Sequence, residues 1–198
     1  NNLSTIIGML YAEQRRASVK RLAGSRSILK SLVSRVQGLS TVHSMLSASE
    51  WRAVPLQELC EQVIKAALEG LSTEKCLCVE VSPSPIRVTS AQAHHLALIV
   101  NELATNTIKH VLGERDKARI QVDFRCEGEI VRLRFRDDGP GYPPEILHYD
   151  QERFSVGFVL IQNIVKKNLH GDLHLTNENG AVAEITFETA KEENHSEV

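Results

Sequence analysis

The most informative segment of the chain reads Arg134-Phe-Arg-Asp-Asp-Gly-Pro-Gly-Tyr-Pro143 and contains the pattern D-x-G-x-G. It closes an apolar/polar alternation that begins at Ile130 and predicts a β-strand ending near Asp137. A carboxylate fixed at a strand end can accept a hydrogen bond from the exocyclic amine of adenine. Gly139 and Gly141 let the backbone approach a ring and a ribose closely, because glycine has no side chain. The alternative is a plain turn after a strand, since Asp-Gly and Pro-Gly are common turn dipeptides.

A helix is predicted upstream of this segment, from Ser90 as its N-cap to Val111. Glu102, Asn106 and Lys109 follow at i, i+4 and i+7, so they share one face, with His110 at its edge. These groups suit a metal–triphosphate site: an asparagine oxygen can ligate Mg²⁺, and a glutamate can orient or deprotonate an attacking group. The alternative is a solvated helix face in which none of these residues has a special role.

A third pattern, Ser155-Val-Gly-Phe-Val-Leu, places a glycine at the start of an amphipathic helix predicted to run to Asn168. Backbone N–H groups at a helix start attract phosphate. The alternative is an ordinary capped helix, in which Ser155 is the N-cap and Gly157 is tolerated in the first turn.

The other predicted elements complete a mixed architecture. The chain alternates between helical and strand periodicity without a strict order, so an α+β sandwich fits better than a doubly wound sheet. The remaining predictions are a helix that begins with Pro55 in its first turn, and strands at Cys76–Val81, Ile86–Val88, Ala118–Cys126, Leu173–Thr176 and Ala183–Phe187.

The N-terminal part predicts two amphipathic helices that form an antiparallel hairpin over residues 1–50. The second helix has one long apolar stripe, and a hairpin this small cannot bury both of its stripes alone. Pairing with a second copy into a four-helix bundle would cover them. The stripe consists of Ile28, Leu29, Leu32, Val33, Val36, Leu39, Val42 and Leu46.

Composition and charge exclude several classes of partner. The net charge is −2, which gives no reason to expect nucleic acid, and no apolar run is long enough to cross a membrane. The Cys76/Cys78 pair could suggest a zinc site, but neither a second cysteine pair nor nearby histidines are present. We therefore expect both cysteines to be part of a strand. Free thiols and the lack of a signal peptide lead us to expect a cytoplasmic protein with no membrane insertion in this chain. The segment 189–198 is acidic and is expected to be disordered.

Taken in order, the three patterns resemble a known nucleotide-binding fold. E-x-x-x-N on a helix, D-x-G-x-G after a strand and a glycine at a helix start are shared by gyrase, ninety-kilodalton heat-shock chaperones, mismatch-repair ATPases and histidine kinases, the GHKL or Bergerat ATPases. The resemblance covers about Leu56 to Phe187, so it implies an ATP-binding catalytic domain over residues 51–188.

Within this group, the run from Asn101 to His110 is most similar to the two-component sensor histidine kinases. The starting sequence Asn1-Asn-Leu-Ser-Thr-Ile-Ile and the later Val42-His-Ser-Met-Leu resemble a subfamily whose dimerisation hairpin opens with H-R-V-K-N-N-L and later carries V-H-x-x-L. The resemblance therefore implies a protein-histidine kinase that uses ATP and Mg²⁺, forms a homodimer, and passes phosphate to the receiver domain of a response regulator.

The resemblance also assigns roles to residues. Glu102 would be the activating acid and Asn106 the Mg²⁺ ligand, and the segment Tyr142 to Phe154 would form a lid. The expected nucleotide contacts are made by Asn106, Lys109, His110, Asp137, Gly139, Gly141, Ser155 and Gly157.

The phosphoacceptor histidine of that subfamily precedes the first asparagine of its motif, so it is expected upstream of Asn1. His43 matches the V-H position of the second helix and is expected to be structural. Three alternatives remain open: a phosphotransfer protein without ATP turnover, a serine kinase of the same fold, and a gyrase-like ATPase module.

Overall fold

A computed structural model describes residues 36, 38–50, 52–68, 75–147 and 156–189. It has the predicted α+β composition, with helices and strands in an irregular order. The helices are α1 (38–48), α2 (Leu56–Leu68), α3 (Ser90–His110), α4 (Pro144–Leu147) and α5 (Val156–Lys167). The strands are β1 (Val54–Pro55), β2 (Cys76–Val81), β3 (Arg87–Val88), β4 (Lys117–Glu127), β5 (Ile130–Asp137), β6 (Asp172–Asn177) and β7 (Ala181–Glu188).

Five of these strands form one sheet in the order β2-β4-β5-β7-β6, and β1 pairs with β3 beside it. β2 runs parallel to β4, whereas the other neighbours in the large sheet are antiparallel. Alternate residues of β4, such as Ile120 and Val122, are fully buried, while Arg119 and Asp123 on either side of this pair are exposed. One face of the sheet is therefore covered by helices, and the other carries charged side chains.

The helix α3 lies at the centre of the helical layer. It packs against α2 and α5 and contacts β4 and β5. Its N-cap is Thr89, and the predicted Ser90 is the first helical residue: the Thr89 hydroxyl accepts from the Gln92 N–H at 3.3 Å, and the Gln92 side chain accepts from the Thr89 N–H. This capping box uses a glutamine at the third helical position, and it replaces the predicted cap.

The start of α2 also differs from the prediction by one residue. Pro55 is the last residue of β1, paired with Arg87, and α2 begins at Leu56. Proline suits both places, because its fixed φ fits the first helical turn and its missing N–H is tolerated at a strand edge.

The helix α1 belongs to the same hydrophobic core as the sheet. Val42 and Leu46 are fully buried in the cluster that contains the residues of the sheet, and Gly38 lies against the side chain of Asn101 on α3. Residues 1–35, which hold most of the predicted hairpin, lie outside the described residues, as does the predicted tail beyond Thr189.

Candidate functional site

The middle of α3 carries polar groups into the interior. Asn101 is 1% exposed and Glu102 is 5% exposed, although both lie on a helix whose other buried residues are mainly apolar. A carboxylate is rarely buried in this way unless it is paired or functional. The solvated-face alternative is therefore wrong for Glu102, whereas Lys109 and His110 at the end of the helix are exposed to solvent.

Asn106 lies one turn after Glu102 and is partly buried. Its side-chain amide nitrogen is inaccessible to solvent and has no hydrogen-bond partner among the described residues. A buried amide without a partner costs free energy, and a ligand that bonds to this side chain would offset that cost. The two ends of an asparagine amide are interchangeable by rotation, so either the oxygen or the nitrogen can face that ligand.

The carboxylate of Asp137 is held at the end of β5 by three donors. One oxygen, Oδ1, accepts from the backbone N–H groups of Gly139 at 2.9 Å and Ala181 at 3.1 Å. The other oxygen, Oδ2, is 3.0 Å from the hydroxyl of Thr107 on α3. These contacts fix the carboxylate group in one orientation, as expected for a group that recognises a ligand.

The turn after Asp137 needs its glycines. A Cβ on Gly139 would lie 2.3 Å from Cγ2 of Val111, so this position has no room for a side chain. Gly141 has a φ of 85°, in the left-handed region, and a Cβ there would lie 2.7 Å from the Asn177 side chain. The same Asn177 accepts from the Tyr142 N–H at 2.7 Å and donates to the Tyr142 carbonyl at 2.9 Å. The turn is thus shaped by tight packing and clamped from β6.

The second aspartate of this segment is an anchor. Asp138 accepts hydrogen bonds from the backbone N–H of Arg119 at 2.8 Å and from the Arg115 guanidinium at 2.5 Å. These contacts attach the turn to the loop after α3 and to the start of β4. Asp137 and Asp138 therefore have different surroundings despite their adjacency.

Tyr142 connects the turn to α5. Its ring makes an edge-to-face contact with Phe158, with centroids 5.3 Å apart and an interplanar angle of 82°. Burial raises the pKa of the Tyr142 hydroxyl above its ordinary value, and the nearby charge of Asp137 raises it further. The hydroxyl therefore stays protonated at neutral pH.

Gly157, which precedes Phe158 in the first turn of α5, is buried, whereas Ser155 and the segment 148–155 lie outside the described residues.

His110 at the end of α3 is exposed but electrostatically constrained. Partial desolvation of its ring, followed by the charge of Lys109, lowers the pKa of His110, while Asp137 and Glu114 act in the opposite direction. At neutral pH this imidazole is therefore uncharged. It can exchange a hydrogen bond with a ligand, and Lys109 is left as the cation of the pair.

The structure thus brings together most of the predicted site residues. The link is Thr107, which follows Asn106 on α3 and contacts Asp137, so the polar face of α3 and the end of β5 border one region. Sequence reasoning missed Thr107, Asn177, Asp138 and Tyr142. Asp138 lies within the D-x-G-x-G pattern and Tyr142 directly follows it. The contacts of Thr107 and Asn177 join residues 30 and 35 positions apart, so no local sequence pattern indicated them.

The donor set at this region fits a magnesium–nucleotide complex. Among the described residues no three histidine, cysteine, aspartate or glutamate side chains are grouped to hold a metal ion. Mg²⁺ commonly takes only one or two protein oxygens and completes its shell with phosphate and water. One amide oxygen from Asn106 matches that arrangement.

An α+β sandwich with a buried acid and a partly buried amide on its central helix, next to a glycine-rich turn, is an arrangement that suits a nucleotide-binding protein. Comparison with known proteins narrows this class. The family described as "Histidine kinase-, DNA gyrase B-, and HSP90-like ATPase" matches residues 91–193, and a second family described as "Histidine kinase" matches residues 1–70. The chain belongs to the first family, and within it to the histidine kinases.

Individual relatives agree with this placement. The chain is 26% identical over 175 residues to the sensor histidine kinase PdtaS of Mycobacterium tuberculosis, a match that covers 87% of this chain and 34% of that protein. It is 26% identical over 161 residues to a blue-light-activated histidine kinase of Rhizobium johnstonii, covering 79% of this chain and 43% of that protein. The chain thus spans about a third to two-fifths of the length of these relatives.

The fold has a counterpart among solved structures. The histidine kinase domain of a blue-light activated kinase from Erythrobacter litoralis superimposes with a TM-score of 0.64 at 20% identity, covering 96% of this chain and 86% of that one. In the part of the chain that the structure describes, no helix has the length and apolar character needed to cross a membrane.

Proposed function

We propose that this chain is the core of a histidine kinase that binds Mg·ATP and phosphorylates a histidine located upstream of Asn1. The phosphoryl group would then pass to an aspartate on the receiver domain of a response regulator. The observation that carries this proposal is the contact between Thr107 and Asp137, because it places the Asn106 turn of α3 beside the acid that would recognise adenine.

The base end of the nucleotide would be bound by Asp137. Its fixed carboxylate is an acceptor, which matches the exocyclic amine of adenine, and Gly139 lets the turn after it pack closely against Val111. Gly141, Gly157 and Ser155 would line the remainder of the pocket through their backbone groups.

The phosphate end would lie along α3. Asn106 would supply an oxygen to Mg²⁺, which neutralises charge on the phosphates when bound. Lys109 would contact phosphate as a cation, and the uncharged His110 would contact phosphate or ribose by a hydrogen bond. Glu102, buried one turn before Asn106, would orient and activate the acceptor histidine.

Phosphoryl transfer depends mainly on positioning and charge neutralisation. The residues assigned to the adenine amine, the phosphates and the acceptor histidine lie on one continuous helix and one strand end, and rigid elements of this kind hold groups more accurately than loops do. The proposed site therefore suits a reaction in which the protein aligns reactants.

Homodimerisation, the receiver-domain partner and a cytoplasmic location form part of the same proposal. Val36 is 54% exposed near the start of α1, whereas Val42 and Leu46 of the same predicted stripe are fully buried in the core. Pairing of hairpins between two copies would cover apolar side chains such as Val36.

The test is nucleotide binding by an Asn106→Ala variant. Isothermal titration with ATP should show that Mg²⁺ strengthens binding to the wild-type chain and that the variant loses this Mg²⁺-dependent gain, because the metal loses its protein oxygen. Asn163→Ala on α5, which removes an exposed amide, is the matched control and should bind like the wild type. Unchanged Mg·ATP affinity in Asn106→Ala would refute the assignment.

A further inference from the structure

Thr107 has an unusual position for a hydroxyl. It is 1% exposed on α3, and its oxygen lies 3.0 Å from Oδ2 of Asp137 and 3.2 Å from the backbone carbonyl of Leu103. The hydroxyl has one proton and two candidate acceptors. A hydrogen bond to an ionised carboxylate is roughly twice as strong as one to a neutral carbonyl, so the proton goes to Asp137.

This hydrogen bond is the third that the protein donates to the carboxylate of Asp137. A carboxylate has roughly four acceptor sites over its two oxygens. Gly139 and Ala181 occupy sites on Oδ1, and Thr107 occupies one on Oδ2. One acceptor site on Oδ2 remains, and its direction is set by the other three bonds.

We propose that Thr107 is a positioning and specificity-determining residue, which turns Asp137 so that its last acceptor site receives the amine of adenine. The inference rests on the proposed function, because it concerns the base end of the same nucleotide site. While its proton is committed to Asp137, Thr107 has no donor to offer the carbonyl oxygen that guanine carries at the corresponding ring position. The pair therefore presents only acceptors to the base and selects adenine.

A structural role for Thr107 would have different consequences. If the hydroxyl only joined α3 to β5, its loss would weaken every nucleotide to the same extent. If it orients Asp137 toward the amine, its loss should weaken only nucleotides that carry that amine. Valine has nearly the shape of threonine and lacks the hydroxyl, so Thr107→Val separates these two roles.

The experiment compares ATP with purine riboside triphosphate, which lacks the exocyclic amine, in competition with a fluorescent ADP analogue on the full 198-residue chain. The wild type should prefer ATP. Thr107→Val should lose about tenfold in ATP affinity, the effect of one hydrogen bond to a charged group, while its affinity for purine riboside triphosphate stays within about twofold. Its preference for ATP over GTP should fall in parallel.

Two further variants keep the inference falsifiable if valine disturbs folding. Thr107→Ser retains the hydroxyl and should restore the ATP preference, and Thr107→Ala should show the same loss as valine at a temperature where thermal unfolding confirms a folded chain. Equal weakening of both triphosphates, or no weakening of ATP, would overturn the role of Thr107 while leaving ATP binding by the wild type intact. A wild-type chain that binds no ATP would overturn the proposed function and this inference together.

Discussion

Two neighbouring residues on α3 illustrate how the site is built at the residue scale. Asn106 has a buried amide nitrogen without a partner among the described residues, whereas Thr107 has its hydroxyl against a carboxylate. In the proposed site, Asn106 would contact the ligand directly, and Thr107 would orient Asp137 toward it. Glu102, buried one turn earlier, adds the only acidic side chain of this stretch of α3.

Glu102→Gln should separate binding from catalysis. The variant should bind Mg·ATP normally but transfer phosphate about 10²- to 10⁴-fold more slowly, because the amide cannot accept a proton. The assay follows labelled ATP on a chain extended upstream to include the acceptor histidine, with Glu58→Gln on the exposed side of α2 as control.

The chemistry of the label distinguishes the alternatives. A phosphohistidine bond is lost in acid, whereas a phosphoserine ester survives, so an acid-stable label would favour the serine-kinase alternative. The absence of any label on the extended wild-type chain would favour the phosphotransfer protein without ATP turnover. Wild-type transfer rates in Glu102→Gln would rule out its role as the activating acid.

The lowered pKa of His110 predicts a pH dependence of stability. Its folded-state pKa lies below the unfolded value, so above that unfolded value both states are neutral and His110 has no effect. As the pH falls below about 6.5, the unfolded chain binds the proton more readily and the folded state loses stability. Denaturant unfolding should show a smaller loss between pH 7 and 5 in His110→Gln than in the wild type. An identical pH profile would contradict this.

At the element scale, α3 is held in place by helices on several sides. α2 and α5 pack against it, and α1 places Gly38 where an added Cβ would lie 3.3 Å from Cγ of Asn101, the residue preceding Glu102. A helix from the hairpin segment thus contacts α3 directly beside the proposed catalytic acid. The apolar stripe predicted this helix, but it was expected to be covered by pairing of the hairpin with a second copy. Val42 and Leu46 of the stripe lie instead in the hydrophobic core that includes the sheet.

Leu46→Ala tests whether α1 belongs to the core of the ATP-binding domain. Leu46 is fully buried in the shared cluster, so its truncation should lower the free energy of unfolding by about 2–5 kcal/mol. Urea unfolding of the chain measures this loss, and Ser44→Ala on the exposed side of α1 should change stability by less than about 0.5 kcal/mol. A near-neutral Leu46→Ala would show that α1 does not pack there in solution.

At the scale of the whole molecule, the fold class could be predicted from the sequence, whereas the order of the strands could not. The α+β class and the strand end at Asp137 followed from local periodicity and from glycines, both of which report on neighbouring residues. The sheet order β2-β4-β5-β7-β6, with one parallel pair, depends on contacts between distant segments and was not predictable in this way. The N-cap at Thr89 was missed because Thr89 and Ser90 are both good caps, and only the Gln92 partner distinguishes them.

The residues of the candidate site also divide into those that a local sequence pattern indicated and those that it did not. Glu102, Asn106 and Asp137 stood out because each lies in a recognisable short pattern. Thr107 did not, since its role exists only when α3 meets β5, and Asn177 reaches Tyr142 from a strand near the end of the chain. Residues that position other residues can be identified only from the three-dimensional structure, because their partners are distant in sequence.

The central claim is that one ligand occupies both the Asn106 turn of α3 and the Asp137 end of β5. Titration of the isotope-labelled chain with Mg·ADP, followed by nuclear magnetic resonance, tests it directly. The side-chain amide of Asn106 and the backbone amides of Gly139 and Ala181 should shift together along one saturation curve with a single Kd. Shifts at only one of these two places, or two curves with different Kd values, would contradict the account.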